Sequence, residues 1–253
     1  MDAYKTIKLE KDGLLSTIIF NRPDRRNALN EEMIQDIHRA LDEDESDPST
    51  RVLIFSGGEQ TFCAGADLRE PWTSETSVRL NKLCTRIEGF PKPTIAVING
   101  YAMGGGLELA LCCDFRIAAN TARLGTPEVK VGIMPTGGAT FRLPRLIGEP
   151  KAKELMMVGD VITSAEAREL GLINKMTEGS ASEEGRKFAR MLMERPPLSL
   201  KAVKESIRAA GHLKVDCQIR SVIEISDALR KTEDYQEGRS AFRQNRNPVW
   251  KGK

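Results

Sequence analysis

The sequence has few of the residues on which several common chemistries depend. Only two histidines occur, His38 and His212, and neither is near a second metal-type ligand at useful spacing, which argues against a zinc site. We expect both to be structural or surface residues. No Gly-x-Ser-x-Gly, Gly-x-x-x-x-Gly-Lys-Ser/Thr or Gly-x-Gly-x-x-Gly pattern occurs. No motif therefore supports a serine hydrolase, a nucleoside-triphosphatase or a dinucleotide enzyme.

Charge, cysteine usage and hydropathy indicate which partners and which cellular compartment to expect. The 253 residues carry a formal net charge of +2, which gives no argument for a nucleic-acid partner. No apolar run is long enough to span a membrane, and the first residues do not resemble a signal peptide. Five cysteines without a Cys-x-x-Cys spacing predict buried thiols in a reducing compartment. We therefore expect a cytoplasmic protein without a membrane partner.

One strand–turn–helix stretch organises the chain. Residues 94–98 are apolar and β-branched, which predicts a buried strand, and residues 104–106 are all glycine. Leu107 and Leu111 have helical spacing, so the glycines are predicted to join the strand to a helix with Glu108 in its first turn. The first N–H groups of a helix have no internal partner and suit an anion or a developing oxyanion. The alternative to a binding site is a tightly packed strand–helix connection in which the glutamate is merely solvated.

The first fifty residues predict a hairpin and an amphipathic helix. Residues 4–10 and 14–20 have the pattern of two strands joined by an Asp-Gly turn. Asn30 is typical of a helix N-cap. The apolar face of the predicted helix contains Met33, Ile34, Ile37 and Leu41. The acidic run at residues 42–47 is expected to be a solvated helix end, which argues against nucleic-acid binding at this face.

The order of segments predicts an α/β core followed by helices. Strand-like and helix-like segments alternate from residue 30 to residue 119, which favours parallel βα units. After Ser182 the glycines thin out and helical patterns take over, with breaks at residues 196–197 and near Gly211. We predict a core domain over residues 1–195 and a helical oligomerisation region over residues 196–253.

Two further segments are candidates for a site. Residues 61–68 contain small residues and a glycine, so backbone N–H groups there can face a ligand, although an ordinary loop is the simpler interpretation. Glu128 lies beside a proline in a segment punctuated by glycine and proline, where a loop glutamate is the simpler interpretation. Two N–H donors aimed at one carbonyl oxygen form an oxyanion hole, and two carboxyls can divide acid and base work. Burial would raise the pKa of a glutamate, whereas a helix N-terminus would lower that of Glu108.

At these residues the chain resembles the crotonase superfamily, also called the enoyl-CoA hydratase/isomerase superfamily. The matching motifs follow the family's order over nearly the whole chain: Asn21-Arg22-Pro23, Asn27-Ala28-Leu29, residues 62–68, residues 104–114, Pro127-Glu128, Gly137-Gly138, Arg142-Leu143-Pro144, Ala165-Glu166-Ala167 and Gly171-Leu172-Ile173. The resemblance implies an α/β fold, a crotonase-like spiral of ββα repeats with a C-terminal helical trimerisation region. The trimers of such proteins are usually paired into hexamers.

The resemblance also implies roles for individual residues. The thioester oxygen of an acyl-CoA substrate would be held by the backbone N–H groups of Ala66 and Gly105. CoA would be part of the substrate rather than a cofactor, no metal is implied, and the CoA contacts would include Ala64, Gly65, Asp67 and Leu68. A basic residue before Asn-Ala-Leu often touches CoA in the family. Arg25 is our candidate for that contact, with Arg26 as its close rival.

The two glutamates favour hydration over the family's other reactions. Family hydratases carry glutamates at the positions of both Glu108 and Glu128, whereas isomerases commonly keep only the second. The implied reaction is reversible syn addition of water to a 2-enoyl-CoA, in which Glu108 deprotonates the water and Glu128 protonates the α-carbon. Isomerisation of the double bond, or hydration and dehydration of a carnitinyl or cyclic dienoyl thioester, are the alternatives. RNA binding through a lysine-rich first helix, found in some crotonase-like proteins, is disfavoured by the acidic end of this helix.

One segment departs from the family's pattern. After the proline matched by Pro135 the family often has Gly-Ala-Gly-Gly followed by Thr-Gln-Arg-Leu. Here residues 136–139 are Thr-Gly-Gly-Ala, and Phe141 occupies the position of the glutamine. The change lies close to Glu128 in the sequence, so it could reshape the acyl pocket and leaves the identity of the acyl group open.

Overall fold

The computed structural model describes residues 4–210 and 215–253, so the predictions for His212 and for a break near Gly211 lie outside the described residues. The strands are β1 (Ile7–Asp12), β2 (Leu15–Phe20), β3 (Val52–Ser56), β4 (Thr61–Cys63), β5 (Thr94–Ile98), β6 (Tyr101–Met103), β7 (Phe115–Ala119), β8 (Arg123–Gly125), β9 (Val161–Thr163) and β10 (Lys175–Thr177). The helices are α1 (Glu31–Ser46), α2 (Ser74–Glu88), α3 (Gly105–Cys112), α4 (Ala139–Ile147), α5 (Glu149–Val158), α6 (Ser164–Glu169), α7 (Ala181–Met193), α8 (Pro197–Ala210), α9 (Val215–Leu229) and α10 (Glu233–Gln244). Short 3₁₀ helices cover Pro23–Arg25 and Pro127–Val131.

The strands form two sheets that the chain visits alternately. The larger sheet has the order β1-β2-β3-β5-β7-β10, with β1 and β2 antiparallel and the other neighbours parallel. The smaller sheet has the order β4-β6-β8-β9. The successive pairs β3 and β4, β5 and β6, and β7 and β8 each place one strand in each sheet, and a helix follows each pair. This arrangement confirms the α/β fold and the spiral of ββα units.

The larger sheet is covered on both faces. Leu53 and Phe55 of β3 belong to the core shared with α1, α2 and α3, whereas their neighbours Val52 and Ile54 pack toward α7. A Cβ built on Gly185 of α7 would lie 2.4 Å from Val97 Cγ2, so this helix packs very closely on β5. Burial on both faces explains why these strands are continuously apolar rather than alternating.

Local signals in the sequence correctly predicted several elements. β1 and β2 form the expected hairpin, and Asn30 caps α1 by accepting a hydrogen bond from the N–H of Met33 at 3.0 Å. From Ala181 onward the described residues form the helices α7 to α10 and no strand, as the loss of glycines indicated. The domain boundary after residue 195 stays a prediction. Within residues 4–210 and 215–253, no helix is both long and apolar enough to cross a membrane.

Four details of the sequence prediction were wrong. β6 lies between β5 and α3, where a direct glycine turn was expected, because pairing with β4 and β8 holds a strand too short to show a pattern. Asp44, expected in solvent, is buried and accepts hydrogen bonds from Lys11 and from Ser16 Oγ, the latter at 2.8 Å. The helical pattern of residues 71–89 predicts Val78 as an apolar position together with Leu80, Leu83 and Ile87, but Val78 is exposed on α2. Cys217 is exposed rather than buried.

Candidate active site

The backbone N–H groups of Ala66 and Gly105 are neighbours at the start of α3. Ala66 forms a parallel bridge with Leu29, in which the N–H of Leu29 donates to the Gly65 carbonyl at 2.7 Å and the N–H of Asp67 donates to the Leu29 carbonyl at 2.8 Å. This bridge holds the chain on both sides of Ala66, yet the N–H of Ala66 has no acceptor among the described residues. The N–H of Gly105 also lacks one there, because it belongs to the first turn of a helix. A Cβ built on Gly105 would lie 3.9 Å from the Ala66 nitrogen, so the two unpaired donors lie close together.

Gly104 makes the turn from β6 into α3 possible. Its φ of +51° and ψ of −125° form a conformation that side chains rarely adopt. Its N–H donates to the Gly125 carbonyl at 2.9 Å, which ties the turn to β8. A Cβ built on Gly104 would lie 2.9 Å from Glu128 Oε1. The carboxyl of Glu128 therefore lies against this turn, one residue from the Gly105 N–H.

The carboxyl of Glu108 is buried and held by the turn that begins α4. The residue is 2% exposed, and its Oε1 accepts a hydrogen bond from the N–H of Ala139 at 3.0 Å. Burial raises the pKa of Glu108, and this effect is opposed by the backbone N–H groups of residues 137–139 and by the cationic Arg142. The expected lowering of this pKa by the helix N-terminus is therefore wrong in sign, because desolvation outweighs the donors.

Glu128 lies in the 3₁₀ helix Pro127–Val131 and has a different environment. Its Oε2 is buried and has no hydrogen-bond partner among the described residues. Burial, together with repulsion from Glu108, raises the pKa of Glu128 to about 7. Because the charge of Glu108 raises the pKa of Glu128, the two carboxyls lie close enough to belong to one site.

The contrast between the two environments suggests different roles. Several N–H donors and an arginine favour the charged form of Glu108, whereas desolvation without a donor to its Oε2 favours the neutral form of Glu128. Near neutral pH a group with a pKa of about 7 can both give and take a proton. Two carboxyls in different environments are the arrangement that allows one group to act as a base and the other as an acid.

The loop after β4 contains the residues predicted to contact CoA. The N–H of Ala64 donates to the carbonyl of Arg26 at 3.1 Å, which brings this loop beside the predicted basic residues. The side chain of Arg25 is partly exposed, with its Nε 3.5 Å from a carboxylate oxygen of Asp24, and Leu68 is 67% exposed. The CoA contacts of Arg25, Arg26, Ala64 and Leu68 stay predictions.

Asp67 has a partner within the protein. Its buried carboxylate accepts a hydrogen bond from Arg22 Nη2 at 3.1 Å, and Arg22 also donates to Glu70 at 2.9 Å and to the Ala28 carbonyl. Arg22 therefore braces the loop that carries Ala66. The sequence showed it only as part of a motif, and its two carboxylate partners, Asp67 and Glu70, lie too far along the chain to be inferred from it. The CoA contacts of Asp67 and of Gly65, whose φ is +92°, also stay predictions.

His38 and Arg142 complete the description of the site and its surroundings. His38 is partly buried on α1, and its carbonyl accepts from Arg86 Nη1 at 3.0 Å, as expected for a structural residue. Arg142, to which the sequence assigned no role, is buried beside the turn that holds Glu108. The glycine pair at residues 137–138, just before α4, is the sequence signal that could have indicated the role of Arg142. Within the described ranges, no group of three or more histidine, cysteine, aspartate or glutamate side chains is arranged to hold a metal ion.

Comparisons with known proteins match nearly the whole chain. A family model described as enoyl-CoA hydratase/isomerase matches residues 10–253. The chain is 37% identical over 252 residues to a crotonyl-CoA hydratase of Syntrophomonas wolfei, covering 96% of this chain and 97% of the relative. It is 37% identical over 252 residues to an enoyl-CoA isomerase/hydratase of Mycosarcoma maydis, covering 93% and 92% respectively. The crystal structure of an enoyl-CoA hydratase from Bacillus anthracis matches with a TM-score of 0.94 and 34% identity, covering 98% of this chain and 100% of that one.

Proposed function

The chain belongs to the enoyl-CoA hydratase/isomerase family, and we propose that it is an enoyl-CoA hydratase with Glu108 and Glu128 as its acid–base pair. The reaction is the reversible syn addition of water to the double bond of a 2-enoyl-CoA. The observation that carries this proposal is the meeting of the buried Glu108 carboxyl and the half-buried Glu128 carboxyl beside the unpaired N–H of Gly105. Hydration needs a base for water, an acid for carbon and a polarised carbonyl, and this group of residues can supply all three.

The thioester oxygen binds in an oxyanion hole formed by the N–H groups of Ala66 and Gly105. Attack of water on the β-carbon moves electron density onto this oxygen and creates an enolate-like intermediate. Two fixed N–H donors stabilise that charge without rearranging during the reaction, and one such donor typically contributes about 3–4 kcal/mol. The location of Gly105 at the positive end of α3 adds to this stabilisation.

The two glutamates handle the two protons of the reaction. The Glu108 carboxylate accepts a proton from water as the new C–O bond forms at the β-carbon. Glu128, with its pKa of about 7, gives its proton to the α-carbon as the enolate collapses. The net result is one water added across the double bond, after which a proton passes back from Glu108 to Glu128 through solvent.

CoA enters as part of the substrate, and we propose no separate cofactor. Its chain lies along the loop of residues 64–68, with Arg25 near its phosphate groups. The partly exposed side chain of Arg25 supports this contact, since a guanidinium binds phosphate well.

We also propose that the protein is a trimer, or a hexamer made of two trimers. Apolar side chains on the C-terminal helices are unusually exposed, including Ile207 at 71% and Phe242 at 88%. Patches of this kind support a protein–protein contact. The cysteines are free thiols, which supports the reducing cytoplasm as its location. Light scattering of the purified protein and fractionation of cells would test these two points.

Isomerisation is the second candidate, because one of the relatives at 37% identity carries both activities in its name. The test is to incubate the protein with straight, branched and cyclic enoyl-CoA thioesters and to analyse the products by mass. A product heavier by one water establishes hydration, whereas a product of unchanged mass with a moved double bond establishes isomerisation. Absence of any product with every thioester would refute the proposal.

A further inference from the structure

The guanidinium of Arg142 is enclosed next to the turn that holds Glu108. Arg142 lies in α4 and is 5% exposed. Its Nη1 donates to the Gly137 carbonyl at 3.0 Å, and its Nη2 donates to Glu88 Oε2, at the end of α2, at 2.7 Å. The ring of Phe141 lies against the guanidinium, with its centroid 4.6 Å from Arg142 Cζ. Because these partners surround a planar group that is always charged, the side chain is held in one position.

The turn at residues 137–139 separates this arginine from the Glu108 carboxyl. A Cβ built on Gly137 would lie 2.6 Å from Glu108 Oε2, whereas one built on Gly138 would lie 2.0 Å from Arg142 Nη1. The N–H of Ala139 donates to Glu108 Oε1 at 3.0 Å. The turn is therefore a single layer of backbone between a carboxylate and a guanidinium. Side chains at the two glycines would not fit there.

The peptide groups of this turn link the two charges. The Gly137 carbonyl that accepts from Arg142 belongs to the same peptide group as the N–H of Gly138, which is one of the donors acting on Glu108. A cation at the carbonyl polarises that peptide group and strengthens its N–H as a donor. Gly138 has a φ of +110°, a conformation that glycine adopts readily and other residues rarely do.

We propose that Arg142 is a positioning residue for hydration, which holds the turn at residues 137–139 and thereby fixes the Glu108 carboxylate for the attacking water. This inference rests on the proposed function of Glu108. Arg142 acts through the backbone of the turn, Glu88 anchors its other end, and Phe141 covers one face of the guanidinium. Phe141, which replaces the glutamine of the family pattern, thus helps to hold the Arg142 guanidinium.

The first test replaces Arg142 by methionine, which keeps much of the volume and removes the donors. Arg145→Met is the matched control, because Arg145 lies in the same helix and is exposed. We expect Arg142→Met to lower kcat for crotonyl-CoA by about 10- to 100-fold, since a displacement of about 1 Å costs this much in a positioned group. KM should stay within about threefold, because the proposed CoA contacts are at Arg25 and residues 64–68 rather than in the turn. Arg145→Met should match the wild type.

The pH profile distinguishes positioning from a general loss of structure. The titratable groups that face Glu108 are Glu128, Arg142 and Cys84, and a hydrogen bond with the Cys112 thiol, together with burial, keeps the pKa of the Cys84 thiol high. Removing Arg142 removes a cation that lowers the pKa of Glu108, so the acidic limb of kcat/KM should move to higher pH. Arg142→Lys keeps the charge but cannot span both acceptors. It should return the limb toward that of the wild type and restore kcat only in part.

The possible outcomes separate this inference from the proposed function. Arg142→Met with the kcat and pH profile of Arg145→Met would overturn the positioning role while leaving hydration intact. A loss of kcat that merely follows the folded fraction would overturn it as well. If the methionine variant does not fold, Arg142→Lys is compared with Arg145→Lys, and equal kcat values would overturn the proposal. A wild-type protein inactive on every thioester would refute the proposed function and this inference with it.

Discussion

Replacement of Glu128 by glutamine should stabilise the protein at alkaline pH while abolishing most of its activity. The carboxyl is desolvated, its Oε2 has no partner among the described residues, and its pKa is raised to about 7. Glutamine has nearly the same shape and never ionises. The variant therefore removes the cost of a buried charge together with the proton that the reaction needs.

The sign and size of this effect follow from the pKa. A folded-state pKa above the unfolded value means that the carboxyl favours folding below its usual pKa of 4.5 and that this contribution is lost as the pH rises through about 7. The full difference corresponds to about 3 kcal/mol. Because Glu128 is partly exposed, solvent screening reduces the expected gain of the glutamine variant to about 1–2 kcal/mol.

Urea unfolding at pH 4.5 and pH 8.5, at one protein concentration, measures this gain. The difference in unfolding free energy between Glu128→Gln and wild type should be larger by about 1–2 kcal/mol at pH 8.5 than at pH 4.5. A constant offset from the new amide cancels between the two pH values. Glu178→Gln, at an exposed position, should show no such difference. A stability gain that is equal at both pH values would refute the claim that Glu128 is held neutral by desolvation.

Three further predictions concern the site and the core. Gly137→Ala should lower kcat by about 10- to 100-fold, because its Cβ would lie 2.6 Å from Glu108 Oε2. Gly58→Ala is the control and should leave kcat unchanged, because a Cβ there would have nothing within 4 Å. Initial rates at saturating substrate measure both values of kcat. Asp44→Ala should destabilise the fold by about 2–4 kcal/mol in urea titrations, since it leaves Ser16 and Lys11 without their buried partner, and the exposed Asp24→Ala should cost almost nothing. The value of kcat/KM should fall as the pH rises above about 7, because the free enzyme then loses the Glu128 proton; a profile that is flat from pH 6 to 9 would contradict this.

The elements that the sequence predicted well are those fixed by local chemistry. Asn30 caps α1 because a short polar side chain beside a helix start can reach a free N–H, which needs no knowledge of the fold. The Thr-Ser-Ala-Glu pattern of residues 163–166 likewise predicts a capping box, and at the start of α6 Thr163 and Glu166 each accept a hydrogen bond from the other's backbone N–H. β5 was equally clear, because burial on both faces makes residues 94–98 continuously apolar.

The features that were missed depend on contacts between distant segments. β6 has three residues and exists because β4 and β8 lie on either side of it. Asp44 looks like its acidic neighbours in the sequence, and its burial depends on Lys11 and Ser16 of the hairpin. Arg142 matters through the Gly137 carbonyl and Glu88, and no local pattern links these residues.

The candidate site was predicted in part for the same reason. Glycines beside Glu108 indicated unpaired donors, because helix starts always leave them. The resemblance to a family, rather than spacing, joined Ala66 and Glu128 to that stretch. The direction of the Glu108 pKa could not be derived, since it depends on how far burial outweighs the N–H groups of residues 137–139.

The central claim is tested most directly by the initial rate of crotonyl-CoA hydration. This rate is measured as the loss of the enoyl-thioester absorbance for the wild type, Glu108→Gln and Glu128→Gln. We expect rapid loss with the wild type and a rate lower by about 10²–10⁴-fold in each variant, which is the contribution typical of a positioned acid or base. Binding of a saturated acyl-CoA should be retained in both. A wild type that hydrates crotonyl-CoA while either variant retains most of that rate would contradict the assignment of the two glutamates.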